Sequence, residues 1–192
     1  MKSEKKHIAI VLLFLLFSAT SFAQKDSISL QREARSLLRE GNELYSKEKY
    51  SDAGILYRKA LDKNATYKKA SFNLGNSLYA QKEYKEAVPQ FELTTKTAKN
   101  KLDKANAFHN IGNAMMEQKQ YQQAVDAYKN ALRNDPKDDE TRYNLAIAKK
   151  KLKDKKDKDK KDDKKDKNKK DNKDKDKKKN KDKKDDKGDK KD

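Results

Sequence analysis

The 192-residue chain contains no cysteine, no tryptophan and only two histidines, His7 and His109. Without cysteine there can be no disulfide, so stability must come from packing alone. There is no glycine-rich phosphate loop among the five glycines and no run of His, Cys, Asp or Glu at metal-ligand spacing. The sequence therefore points away from an enzyme and implies no cofactor and no metal. Apolar residues are also scarce, at 33% against 43% charged. Charge that dense cannot be spread over a globule with an apolar core, so part of the chain is expected not to fold.

The charge concentrates at one end. Lys149 to Asp192 holds 25 Lys and 14 Asp, a net +11 out of +18 for the whole chain. Leu152 is the single apolar residue there. Ordering such a segment costs about 1–2 kcal/mol per residue with nothing to bury. A disordered tail over 153–192 is expected. Its Asp-Lys runs do not form a calcium loop, because Lys neutralises each Asp and the carboxylates have no turn to converge on. An alternative reading makes this tail the functional part, a binder of anionic envelope surfaces, lipid or polysaccharide, through at least a weak contact, although neighbouring Asp offsets much of each Lys field.

The other end reads as a targeting segment. Met1 to Lys6 is basic, Ile8 to Phe17 is an unbroken apolar run, and small residues stand at Ser21 and Ala23. This is the layout of a secretory signal peptide over 1–23, cut after Ala23; the apolar run is half what a spanning helix needs. An exported, periplasmic protein follows as the expectation. Nucleic acid, the partner a Lys-rich tail would suggest in the cytosol, is then set aside.

Between the ends the sequence repeats. Gly-Asn pairs stand at Gly41-Asn42, Gly75-Asn76 and Gly112-Asn113, spaced by 34 and 37 residues. The same order follows each Gly: Tyr50, Ala53, Tyr57 and Ala60; then Tyr84, Ala87, Phe91 and Thr94; then Tyr121, Ala124, Tyr128 and Ala131. Apolar positions recur at helical spacing on two consecutive stretches of each copy, such as about 104–118 and 121–133 in the third. The small residues allow close helix approach and the aromatics fill the space between. One hairpin leaves a bare apolar face, so copies must stack.

This order resembles the tetratricopeptide repeat (TPR), 34 residues long. The resemblance implies an all-α solenoid of helical hairpins over 24–152. Its repeats fall at about 34–67, 68–104 and 105–138, followed by a capping helix over 139–152 that Asp138, Asp139 and Glu140 open. Seven helices are expected. Pro89 should kink its helix, and the three extra residues near Thr94 to Lys99 should loosen the join between the second and third repeats or shift its angle.

In the family, residues near the Gly face a concave groove. Carried over, these are Leu38, Asn42 and Tyr45; Phe72, Asn73, Asn76 and Tyr79; His109, Asn110, Asn113 and Met116; and Asn144 in the cap. Asn amides both donate and accept, so they suit the backbone of an extended peptide; at the same positions they also serve inter-helix bonds. His109 reads by itself as a surface residue. The TPR clamps for chaperone C-terminal carboxylates place Lys and Arg where this chain has Leu38, Asn106 and Asn110. The resemblance thus implies an adaptor that binds a protein partner without being that clamp. Signal peptide, three repeats, the cap and the Lys/Asp tail together resemble the TPR proteins of bacterial aerotolerance (Bat) operons. That group implies a periplasmic scaffold beside membrane proteins bearing von Willebrand A domains.

Overall fold

A computed structural model describes residues 27–160, which are helical apart from short connections. Helix α1 spans 27–46, α2 Tyr50–Lys63, α3 Lys68–Ala80, α4 Tyr84–Thr97, α5 Lys101–Glu117, α6 Tyr121–Asn134 and α7 139–160. Three antiparallel hairpins, α1–α2, α3–α4 and α5–α6, stack in chain order, and α7 closes the stack. The expected signal segment and most of the expected tail lie outside the described residues.

Each hairpin is locked by one glycine against one ring. A Cβ on Gly41, Gly75 or Gly112 would stand 2.6, 2.6 or 2.4 Å from a ring carbon of Tyr57, Phe91 or Tyr128. Those rings lie sixteen residues further on and are almost fully buried. The absent side chain is thus the space the ring occupies. Around these pairs Ala34, Ala53, Ala60, Ala70, Ala87, Ala107, Ala124 and Ala131 let the helices approach closely. Two apolar clusters result, one through the first two repeats into the third and one between α6 and α7, and Met115 packs against both.

The tight turns between paired helices are alike in all three hairpins. In the second, the Lys82 amide donates to Tyr79 and the Glu83 amide to Leu78. The same two bonds recur at Glu48 and Lys49 and at Lys119 and Gln120. This is the double bond pattern that ends a helix through one left-handed residue. Glu48, Lys82 and Lys119 occupy that position, at φ of 58°, 63° and 58°.

Two expectations change. The extra three residues do not loosen the second join, since α4 packs on α5 as extensively as α2 on α3. They lengthen α5 instead, which begins eleven residues before its Gly where α3 begins seven before. Asn100 caps the added turn, accepting from the Asp103 amide at 2.7 Å. Helix α4 runs over Tyr84–Thr97 with Pro89 inside it. At the other end α7 runs past 152 to 160. Leu152 packs on the second cluster, and beyond it the helix continues over exposed Lys and Asp.

Candidate functional site

The first helix of each hairpin lines one face of the stack. A cleft of about 540 Å³ opens there between α1, α3 and α5, floored by Leu38, Tyr67 and Phe72 and rimmed by Arg35, Arg39, Lys68, Lys69 and Asp103. Smaller hollows continue along the same face. One of about 160 Å³ lies among Asn42, Tyr45, Asn73 and Asn76. Another of about 180 Å³ is lined by Tyr79, Asn113, Met116, Glu117, Asn144 and Ile147. A larger hollow of about 680 Å³ lies off this row, between the α5–α6 turn and the end of α7. Its wall is almost wholly Lys and Asp.

The asparagines form rungs between successive repeats. Asn73 Nδ2 donates to Asn42 Oδ1 at 2.7 Å, Asn110 Nδ2 to Asn76 Oδ1 at 2.9 Å, and Asn144 Nδ2 to Asn113 Oδ1 at 3.4 Å. In every rung the acceptor directly follows the repeat glycine, and the donor stands in the next A helix; for Asn73 and Asn110 this is two residues before the glycine. The Tyr57 hydroxyl donates to Asn42 Oδ1 at 3.0 Å and the Tyr128 hydroxyl to Asn113 Oδ1 at 2.7 Å. Phe91 has no hydroxyl, so the middle rung lacks this bond. Burial pushes the Tyr57 phenol up to about 12, with Tyr45 adding to the rise, and burial likewise raises Tyr128.

Asn42, Tyr45, Asn73 and Asn76 share the second hollow, and Tyr79, Asn113, Met116 and Asn144 share the third. Phe72, half-buried, lines the large cleft with its ring edge-on to Phe91 at 5.8 Å. Leu38 is buried in the floor and offers only its edge. Asn110 is spent in its rung. His109 is no surface residue: its side chain is 13% exposed and wedged against the start of α7. Its Nδ1 lies 2.6 Å from the Thr141 hydroxyl, and that hydroxyl donates to Asp138 at 2.5 Å. Burial would raise the Asp138 carboxyl, but bonds from the Thr141 hydroxyl and amide outweigh it and the group sits below its ordinary range. His109 thus fixes the cap onto the third repeat.

The sequence reading missed the charged rim. Arg35 and Lys69 stand six residues before Gly41 and Gly75, in the register of Asn106, and Arg39 shares the register of Asn73 and Asn110. Extending the repeat register by one more turn would have found them. Lys68 pairs with Asp103 across α3 and α5, and that bond holds the Asp103 carboxyl below the usual range. Asp103 reaches the cleft rim because α5 gained its extra turn.

The comparisons with known proteins agree with this architecture. A family model for the tetratricopeptide repeat matches residues 38–101, and one for the TPR repeat matches 112–153, together more than half of the chain. The chain belongs to the tetratricopeptide-repeat family. No curated protein matches it in sequence. Among solved structures it is similar to the first TPR of Spaghetti (RPAP3) bound to the HSP90 peptide SRMEEVD. That likeness has a TM-score of 0.59 and 20% identity over 64% of this chain and 94% of that one. The TPR domain of Sgt2 from Aspergillus fumigatus gives 0.57 and 24% identity over 63% and 80%. YrrB, a TPR protein with an unusual peptide-binding site, gives 0.54 and 22% identity over 69% and 63%. At these identities the likeness establishes the fold.

Proposed function

We propose that this TPR protein is an exported adaptor that holds an extended segment of a partner protein along its A-helix face and catalyses nothing. The observation that carries the reading is the row of hollows from α1 to α7 on one face, floored by apolar side chains and edged by asparagine amides. Peptides are bound by the similar RPAP3 domains, as the HSP90 and HSP70 peptide complexes record. The rung geometry leaves the Nδ2 hydrogens of Asn42, Asn76 and Asn113 without a partner among the described residues, which suits carbonyl groups of an extended chain.

The envelope setting rests on the amino-terminal pattern of the sequence. With the Lys/Asp tail it supports a role beside membrane proteins, those with von Willebrand A domains being the partners that the Bat-operon resemblance suggests. Two measurements test the proposal. Protein recovered from cells should begin at Gln24; intact Met1 on soluble cytoplasmic material would remove the export reading. A photo-crosslinking residue at Asn106, on the groove side, should trap one partner that the same residue at Gln123 on the outer helices does not. Crosslinks from Gln123 or from the tail alone would move binding away from the groove.

A further inference from the structure

Helix α7 has the register of an A helix but no B helix to cover it. The rung donor Asn144 fixes that register. Ala146 then stands where the repeats have Gly41, Gly75 and Gly112, and Tyr143 where they have Leu38, Phe72 and His109. Those three side chains are buried or half-buried, whereas Tyr143 is 67% exposed. The rung acceptor position, held by Asn42, Asn76 and Asn113 in the repeats, is Ile147 in α7. The rung series therefore stops at an apolar side chain that cannot accept from a further asparagine. Nine residues past the glycine register, where each repeat starts its B helix, α7 runs on over exposed Lys and Asp. Glu140, Tyr143, Ile147 and Lys150 are spaced by three, four and three residues, so they form one stripe along the helix. Glu140, Tyr143 and Lys150 are exposed and Ile147 is half-buried.

We infer that this stripe pairs with the same stripe of a second copy of the chain, the two α7 helices lying antiparallel about a two-fold axis near Leu145. Its charge pattern is complementary to itself in that direction only. An antiparallel pair centred at Leu145 sets each Tyr143 against the partner's Ile147 and each Glu140 against the partner's Lys150. Both copies then make the same contacts, as a two-fold interface requires. A parallel pair would set Glu140 against Glu140 and Lys150 against Lys150, and would bring two net-positive tails side by side. The alternating spacing of three and four is that of a two-helix seam. Both charged ends are available. Glu140 lies 3.5 Å from His109 Nε2, yet its side chain is three-quarters exposed. Lys150 has no carboxylate within ion-pair distance among the described residues. Ala146, exposed beside the axis, is small enough to let the helices approach. Four side chains from each copy bury less than the about 1,600 Å² of a standard interface, so the dimer forms in the micromolar range and above. The chain's own tail is a poor occupant, because beyond Leu152 it has no apolar residue to set on Tyr143 and Ile147.

The test is sedimentation equilibrium of the protein as recovered from cells, tail included, from about 5 to about 500 μM, with the melting temperature as the control for folding. The average mass should rise from that of one chain towards that of two. Tyr143→Glu should raise the dissociation constant at least about tenfold and leave the melting temperature unchanged, since the side chain is exposed. Lys150→Glu should weaken the dimer by setting a carboxylate against the partner's Glu140. Adding Glu140→Lys to Lys150→Glu should bring the dissociation constant back to within about threefold of the parent, because the pair is remade with its charges exchanged. Damage to the fold could not give that restoration. High salt should narrow the gap between Lys150→Glu and the parent while Tyr143→Glu stays weak. A single-chain mass at every concentration overturns the inference, whether Tyr143→Trp fluorescence then shows the site shielded by the chain's own tail or open to a different protein. A dimer indifferent to Tyr143→Glu lies on another surface and overturns it too. A dimer that Tyr143→Glu breaks but Lys150→Glu does not, or that the exchanged pair fails to restore, overturns the antiparallel pairing and with it the inference.

Discussion

Alanine should act oppositely at two helical glycines of this protein, and the sign follows from the space at each. At Gly54 a Cβ meets nothing nearer than 3.6 Å, ordinary van der Waals contact. Gly54 has no positive φ, so Ala fits the backbone. The helix then gains about 1 kcal/mol from the better former. At Gly112 the Cβ would lie 2.4, 2.5 and 2.8 Å from three ring carbons of Tyr128. Carbon atoms rest at about 3.5–4.0 Å, so something must move by more than about 1 Å. The ring has little freedom: it is 1% exposed and its hydroxyl is tied to Asn113 at 2.7 Å. Overpacking of this kind costs about 1–3 kcal/mol, and the backbone gain offsets about 1 of it. Gly54→Ala should therefore raise the melting temperature by a few degrees and Gly112→Ala should lower it or, at the mild limit, leave it level. Thermal unfolding by circular dichroism at matched concentration reads both. Gly112→Ala as stable as Gly54→Ala would refute the glycine–ring account of the hairpins. Gly112→Leu should be worse than Ala, since it pushes a larger group into the same ring.

Three further outcomes follow from local geometry. Phe91→Tyr should place a hydroxyl near Asn76 as Tyr57 and Tyr128 do near Asn42 and Asn113, adding about 1 kcal/mol in urea unfolding. Lys82→Gly should stabilise by up to about 1 kcal/mol, because its φ of 63° is strained for any side chain, whereas Lys85→Gly on the following helix should destabilise. At alkaline pH stability should fall. The unfolded chain releases a tyrosine proton near pH 10 while folded Tyr57 keeps it to about 12, so its contribution is whole below about pH 10 and is lost as pH rises towards 12. Urea midpoints at pH 8 and 11 should differ, and Tyr57→Phe with Tyr128→Phe should flatten the slope.

What the sequence made readable was whatever recurs. Gly41, Gly75 and Gly112 with their partner rings appear three times in fixed order, so chance cannot supply them, and they carry hairpin, register and helix count together. What occurs once was not readable. The insertion before Gly112 has no second copy, and composition alone did not say that it would lengthen α5 rather than the preceding connection. Asn100 followed by Asp103 was the available signal, a capping pair at the new start. His109 misled because a lone histidine has no period; the α7 entry through Asp138 and Thr141 and the edge-on Tyr128 ring bury it. The end of α7 was misjudged for a further reason: the helix runs on to 160 over exposed residues, and burial was the criterion applied.

The asparagine rungs raise the question of whether the row of amides serves stacking or binding, and one substitution can separate the two. The stacking bond uses the oxygen of Asn76, which accepts from Asn110 at 2.9 Å. The binding role would use its nitrogen, which has no acceptor among the described residues. Asn76→Ala removes both and cannot tell them apart; it should cost about 1 kcal/mol of stability because Asn110 loses its acceptor. Asn76→Asp keeps the oxygen and removes the donor. Asn76 is only half-buried, so the new charge stays in reach of water, and the bond from Asn110 becomes charge-assisted. Its stability should therefore stay within about 0.5 kcal/mol of the parent while affinity for a groove-bound peptide falls as far as with Ala. A neutral peptide alternating Gln and Leu is the probe of choice, because an acidic one would also sense the added charge. If Asp binds that peptide as the parent does and Ala does not, the rungs hold the repeats together and bind only by keeping the groove in shape.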